Sequence, residues 1–190
     1  FLFARPGYFI RERGSSEEDR YSSGPRDAIK STIVNYDWKN FQILAPALQN
    51  LRKYYKPEKL ILIGHSGGAY QGGTIHGKVP GLVDINILIS CPCDWEIRKK
   101  LSNGKKWETK SQLKELKKNS PSFNYKDIDL KSLNILIVGK DDKNTAPGVS
   151  EYYYDLLKKK KLQVKLHIID GGHGLRSMPT IGSIIKEYIN

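Results

Sequence analysis

The chain has 190 residues, a net charge of +12 from 32 Lys and Arg against 20 Asp and Glu, and 38% hydrophobic residues. This length suits one domain, 1–190, whose core needs neither disulfides nor metals to hold it. No apolar run approaches the roughly 18 to 20 residues that span a bilayer and no signal-peptide pattern opens the chain, so a membrane-spanning class is excluded and a cytoplasmic protein is expected.

Taken in order, short apolar runs predict strands at FLFA (1–4), KLILIG (59–64), LVDINILIS (82–90), LNILIVG (133–139) and QVKLHIID (163–170). These runs are near-continuous rather than alternating, as expected when both faces of a parallel strand are covered. Helical spacing marks WKNFQILAPALQNLRKYY (38–55), the segment after Ser66, KSQLKELKK (110–118), GVSEYYYDLLKKKK (148–161) and MPTIGSIIKEYIN (178–190). Strands alternating with helices predict an α/β fold, a mostly parallel sheet with helices on both faces. The one long connection, 91–132, follows a strand and reads as a short lid at the sheet's C-terminal edge.

Cys91 and Cys93 are too few and too close for a disulfide framework or a four-ligand zinc site, and reduced, packed thiols are expected. No metal and no cofactor is implied. The lysines fall in helix-like polar stretches with almost no aromatic interleaving, so they read as a solvated surface rather than a nucleic-acid site. Phe1 is not an initiator methionine, which leaves open a cleaved targeting segment ahead of it.

The chemistry is carried by three loops. GHSGG (64–68) is a G-x-S-x-G sequence between a predicted strand and a predicted helix, the context that gives that pattern meaning. A sharp turn there needs glycine two before and two after the serine, which Gly64 and Gly68 supply. Beside His65, Ser66 is then lifted above the strand end, with the Gly67 N–H placed to meet an oxyanion. A serine hydroxyl needs a base, and the base needs an acid to orient it. His173, in IIDGGHGL after the last strand, is the candidate base; His76 and His167 fall inside a helix and a strand and read as structural. Asp141 and Asp142, in IVGKDDKNTAP after the preceding strand, are both placed to act as the acid. The order Ser, Asp, His, each after its own strand, is that of a hydrolytic triad built on such a sheet.

With these residues in place, the whole chain resembles the C-terminal three quarters of an α/β-hydrolase of the esterase, lipase and dienelactone hydrolase type. ARPGY resembles the turn after that fold's fourth strand, GHSGG its nucleophile elbow, GKDDKNTAP its acid loop and GGHG its histidine loop. The resemblance implies a three-layer sandwich and a serine hydrolase without a cofactor, acting on a small-molecule ester or related acyl substrate. It implies Asp142 as the acid, three residues after Gly139, with Asp141 and then Asp94 as alternatives. Non-catalytic ligand binding on the same fold, peptidase and acyltransferase activity are the competing readings. Esterase is preferred to peptidase because the chain lacks room for the extra domain common in peptidases of this fold. Tyr8, Phe9, Trp95 and Trp107 are pocket candidates, and Lys99, Lys100, Lys105 and Lys106 a possible bias toward acidic substrates. One departure stands out, because the strand that should flank the elbow strand precedes RPGY in the fold. Either residues upstream of Phe1, on further chain or a separate N-terminal fragment, complete the sheet, or FLFARPGYF takes that role with the backbone near Gly7 and Tyr8 as second oxyanion donor.

Overall fold

A computed structural model describes residues 38–101, 110–174 and 179–189. The predicted strand at 1–4, Gly7, Tyr8 and Phe9, and Lys105, Lys106 and Trp107 lie outside the described residues. In chain order the elements are α1 (Trp38–Tyr55), β1 (Ile61–His65), α2 (Gly67–Lys78), β2 (Ile85–Ile89), α3 (Trp95–Leu101), α4 (Lys110–Lys118), α5 (Pro121–Asn124), a 3-10 turn (Tyr125–Asp127), β3 (Leu133–Gly139), α6 (Pro147–Lys159), β4 (Gln163–Ile169) and α7 (Pro179–Ile189). No helix among the described residues is long and apolar enough to cross a membrane.

The four strands form one parallel sheet in the order β1-β2-β3-β4, with Ile61 opposite Ile85, Ile85 opposite Leu133 and Leu133 opposite Gln163. Pleating sends alternate residues to opposite faces. On one face Ile85, Ile87, Ile89, Ile135 and Ile137 pack under Ile181 and Ile184 of α7. On the other, Leu88, Leu136 and Val164 pack under Ala69 of α2 and Tyr153 and Leu157 of α6. Both faces of β2 and β3 are therefore dry, which is why their sequences are apolar without alternation. Ile87, Leu88, Ile135, Leu136 and Ile137 are fully buried, and such side chains each contribute about 1.5 to 3 kcal/mol on burial. Helix α1 adds a third cluster beside α2, where Phe41, Ala45 and Leu48 meet Tyr70, Ile75 and Leu82. Arg52 of α1 ties this side to the sheet, its Nη1 2.6 Å from Asp84 Oδ2 ahead of β2.

Among the described residues β1 is an edge strand, with Ile63 47% exposed. The predicted strand at 82–90 begins only at Ile85, because Leu82 and Val83 enter the α1–α2 cluster before the chain joins the sheet. The described parts of the connection 91–132 pack onto the body of the fold: α3 lies against α6 and α5 against α2. Gly73 makes the second contact possible, since a Cβ there would stand 2.7 Å from the Pro121 ring and 3.3 Å from Leu88. A Cβ at Gly72 would stand 3.3 Å from Leu62 and 3.4 Å from Asn86, a looser form of the helix-to-sheet approach that small residues permit.

One sequence expectation is overturned. Cys91 and Cys93 are joined as a disulfide rather than held as free thiols. Leaving β2, the backbone turns at Ser90 (φ 48°) and passes through Pro92, bringing the two cysteine Cα atoms to 5.0 Å, within disulfide reach. Both are fully buried beneath α6.

A polar pocket lies within this core. His76 of α2 is fully buried, with Nε2 3.0 Å from Ser132 Oγ and Nδ1 accepting from Asn86 Nδ2 at 3.2 Å. Burial disfavours its charged form and pushes its pKa down from 6.5 to about 4. As pH falls, the unfolded chain takes this proton first, so stability is lost between the unfolded and folded values and is full above them. Urea unfolding is expected to report roughly 2 kcal/mol less stability at about pH 5 than at about pH 7, a slope that His76→Gln removes. An unchanged slope in that variant would assign the loss to other groups.

Candidate active site

Parallel strands bring all their C-terminal ends to one edge, where open α/β sheets place their ligands. The loop after β1 holds Ser66, the loop after β3 holds Asp141 and Asp142, and the loop after β4 holds His173.

Ser66 joins β1 directly to α2 at φ 53°, ψ −117°, a region that side chains rarely occupy. The turn is fastened from both sides, with the Ser66 N–H donating to the Ile89 carbonyl at 2.8 Å and its own carbonyl accepting from the Tyr70 N–H at 3.0 Å. Gly64 is required here because a Cβ would sit 2.5 Å from the Gly68 carbonyl carbon. Gly68 itself is not, since a Cβ there would meet nothing within 4 Å; the tight approach is made by its backbone against Gly64. That corrects the expectation that both glycines answer a steric need. Gly67 opens α2, so its N–H has no intrahelical acceptor and lies at the positive end of the helix dipole.

The acid loop turns tightly on itself, with the Asp142 N–H donating to the Gly139 carbonyl at 3.1 Å. It also leans on the histidine loop, where the Asp141 N–H donates to the Gly171 carbonyl at 3.0 Å. Asp141 is left exposed while Asp142 is 2% exposed. Asp142 Oδ2 lies 2.9 Å from His173 Nδ1, and His173 Nε2 lies 2.9 Å from Ser66 Oγ. Burial pushes the Asp142 carboxyl up, but hydrogen bonds from His173, the Thr145 N–H and the Thr145 hydroxyl outweigh it and hold the group well below the usual carboxylate range. The histidine loop is also tied to the elbow, His65 Nε2 lying 2.7 Å from the His173 carbonyl oxygen.

Of the three candidate acids, only Asp142 meets His173. Asp94 instead caps α3, accepting from the Ile97 N–H at 2.9 Å and from Ser122 Oγ at 2.6 Å. His167 pairs with the Tyr188 hydroxyl at 2.9 Å and His76 stays in its core pocket, so both are structural as expected. Trp95 is buried, stacked edge-on against Tyr70 and covered by the Arg98 guanidinium, a packing role rather than a pocket wall. Thr145 was not singled out by the sequence, although Asp-x-x-Thr is a spacing at which a hydroxyl can reach back to a carboxylate across a turn. No group of three His, Cys, Asp or Glu among the described residues could hold a metal ion.

This sheet, with its elbow serine and the loops that converge on it, defines an α/β-hydrolase fold. The chain belongs to the prolyl oligopeptidase family, whose model matches residues 10–187. No curated protein sequence matches it. Among solved structures it is similar to an acylaminoacyl peptidase from Pyrococcus horikoshii, at 19% identity and a TM-score of 0.63 over 78% of this chain and 27% of that one. It is similar to dipeptidyl peptidase 4 from Porphyromonas gingivalis at 14% identity and a TM-score of 0.63, over 77% of this chain and 21% of that one. An acetyl xylan esterase from Paenibacillus sp. R4 is similar at 12% identity and a TM-score of 0.63, over 80% of this chain and 52% of that one. The chain thus spans about a quarter of the length of these peptidases.

Proposed function

We propose that the chain cleaves carboxylic esters by two-step acyl transfer, with Ser66 as nucleophile, His173 as the base and Asp142 as the acid that orients it. The observation supporting this most directly is the unbroken line from Asp142 through His173 to Ser66 Oγ, 2.9 Å at each junction. As Ser66 Oγ attacks the carbonyl carbon, His173 Nε2 takes the hydroxyl proton and returns it to the departing alkoxide, leaving an acyl-enzyme. The same nitrogen then takes a proton from water, hydroxide adds to the acyl carbon, and Ser66 departs with the proton. Negative charge on the carbonyl oxygen meets the Gly67 N–H, a donor of a kind worth roughly 3 to 4 kcal/mol in the transition state. Helix α3 of the 91–132 connection is read as lying beside the site, since its Arg98 reaches the acid loop, with Nε 3.0 Å from the Asn144 carbonyl oxygen.

Family membership favours a second reading, in which the scissile bond is a peptide bond. The sequence-level preference for an esterase rested on chain length, which carries no weight for a chain spanning about a quarter of those peptidases. Peptide cleavage asks more of the same groups, because the leaving amine must be protonated by His173 before it departs.

Turnover of p-nitrophenyl acetate and of an acetyl-alanyl p-nitroanilide, with fluorophosphonate labelling followed by intact mass, separates these readings. One adduct on Ser66 and faster ester turnover are expected. Faster anilide turnover selects the peptidase reading. Neither labelling nor turnover would leave a ligand-binding protein on a hydrolase fold.

A further inference from the structure

Asp142 is held by more than His173. Its Oδ1 accepts from the Asn144 N–H at 2.9 Å and from the Thr145 N–H at 2.8 Å, and Thr145 Oγ1 stands 2.7 Å from Oδ2. The same hydroxyl oxygen lies 3.1 Å from the Ser90 carbonyl oxygen and 3.2 Å from His173 Nδ1. Thr145 is 1% exposed, so it works out of contact with bulk water. One side chain therefore touches the acid loop, the end of β2 and the edge of the histidine ring.

A hydroxyl has one hydrogen to give. Bonds to an ionised acceptor are shorter and roughly twice as strong as neutral ones, so the hydrogen goes to Asp142 Oδ2 at 2.7 Å rather than to the Ser90 carbonyl at 3.1 Å. We propose that Thr145 is a positioning residue for acyl transfer: its hydroxyl fixes the Asp142 carboxylate against the imidazole and moderates the pull of that carboxylate on the Nδ1 proton. This rests on the reading of Ser66, His173 and Asp142 given above.

A carboxylate that shares its charge with an added donor stabilises an imidazolium less. Removing the hydroxyl concentrates that charge on the Nδ1–H bond, and His173 then keeps its proton to higher pH. The other titratable and charged groups around the ring do not change in such a variant. Among the described residues they are His65 from the elbow, with ring centroids 5.2 Å apart, Asp141 and Lys143 beside Asp142 in the acid loop, and the Lys140–Asp170 pair, 2.7 Å apart, at the strand ends.

Thr145→Val replaces the hydroxyl by a methyl at almost constant shape, Thr145→Ser keeps the hydroxyl, and Thr145→Ala is the second hydroxyl-less variant should valine prevent folding. Two readouts are taken on each: the pH dependence of kcat/KM for p-nitrophenyl acetate, and the His173 titration by NMR of labelled imidazole. In Thr145→Val, kcat/KM near neutral pH is expected to fall about tenfold, with the acid limb and the NMR midpoint of His173 both moved up by about half a pH unit. Thr145→Ser is expected to stay within about twofold with both midpoints unmoved. A loss of rate without any upward move of the midpoints, or equal damage from serine and valine, overturns the proposal and leaves Thr145 as packing. Ser66→Ala run alongside separates the two levels: if that variant keeps its activity the triad reading falls and the role of Thr145 with it, whereas loss of activity in Ser66→Ala with unmoved midpoints in Thr145→Val overturns the role of Thr145 alone.

Discussion

Ser66→Ala is expected to lower kcat on p-nitrophenyl acetate by about 10⁵- to 10⁶-fold while leaving the fold intact. A single triad nucleophile costs nearly as much as the whole triad, because its members act as one unit. Among the described residues nothing else at this edge replaces it: Ser90 Oγ is buried at the end of β2, and Ser120 and Ser122, at the start of α5, bond each other at 3.0 Å. Ser66 also occupies a backbone conformation that alanine finds no worse, so circular dichroism and urea unfolding are expected to match the parent. His173→Ala is expected to be comparably damaging, and the two losses should not multiply in the double variant. A Ser66→Ala protein that keeps a tenth of the parent's activity would mean that the hydrolysis is carried elsewhere.

Asp142→Asn is expected to cost about 10⁴-fold in kcat, and Asp141→Asn almost nothing. The contrast follows from geometry. Asp142 is buried with His173 Nδ1 and three donors from Asn144 and Thr145 converging on its two oxygens. An asparagine has only one oxygen to offer them, and its amide would present hydrogens to a nitrogen that must itself donate, forcing the imidazole toward the wrong tautomer. Asp141 is exposed and contributes its backbone N–H to the Gly171 carbonyl, a bond that asparagine retains. Kinetics of the two single variants under identical conditions decide the matter, and equal losses would remove the assignment of the acid.

The scaffold explains why these effects can be so large. Ser66, Asp142 and His173 stand on loops at the ends of hydrogen-bonded parallel strands that flank or include the dry β2–β3 centre of the sheet, so their spacing is set by backbone pairing rather than by the side chains themselves. The Gly139–Gly171 approach shows how tight this is, since a Cβ at Gly139 would collide with the Gly171 carbonyl, separating the acid loop from the histidine loop. Preorganisation of this kind lets electrostatic groups act without reorganisation during the reaction.

Among the described residues, the sequence by itself determined the order of the four strands and the main helices between them, the parallel sheet, the elbow at Ser66 and the loop that carries His173. Continuous apolar runs, helical spacing and a glycine-framed serine are local signals, readable without knowing what packs on what. What it left open was decided by contacts between residues far apart in the chain. Asp141 and Asp142 are neighbours of one chemistry, and only the closing of the acid loop on Gly139 and Gly171 buries one and exposes the other. The same holds for Gly68, whose neighbourhood is open, and for Asp94, drawn away by Ser122 across 28 positions. Cys91 and Cys93 were legible as a pair but not as a bond, because the turn at Ser90 that aims them at each other is set by the sheet end and not by their spacing. Thr145 gave no signal on its own, since a hydroxyl acquires a role only when tertiary packing brings an acid, a carbonyl and an imidazole within its reach.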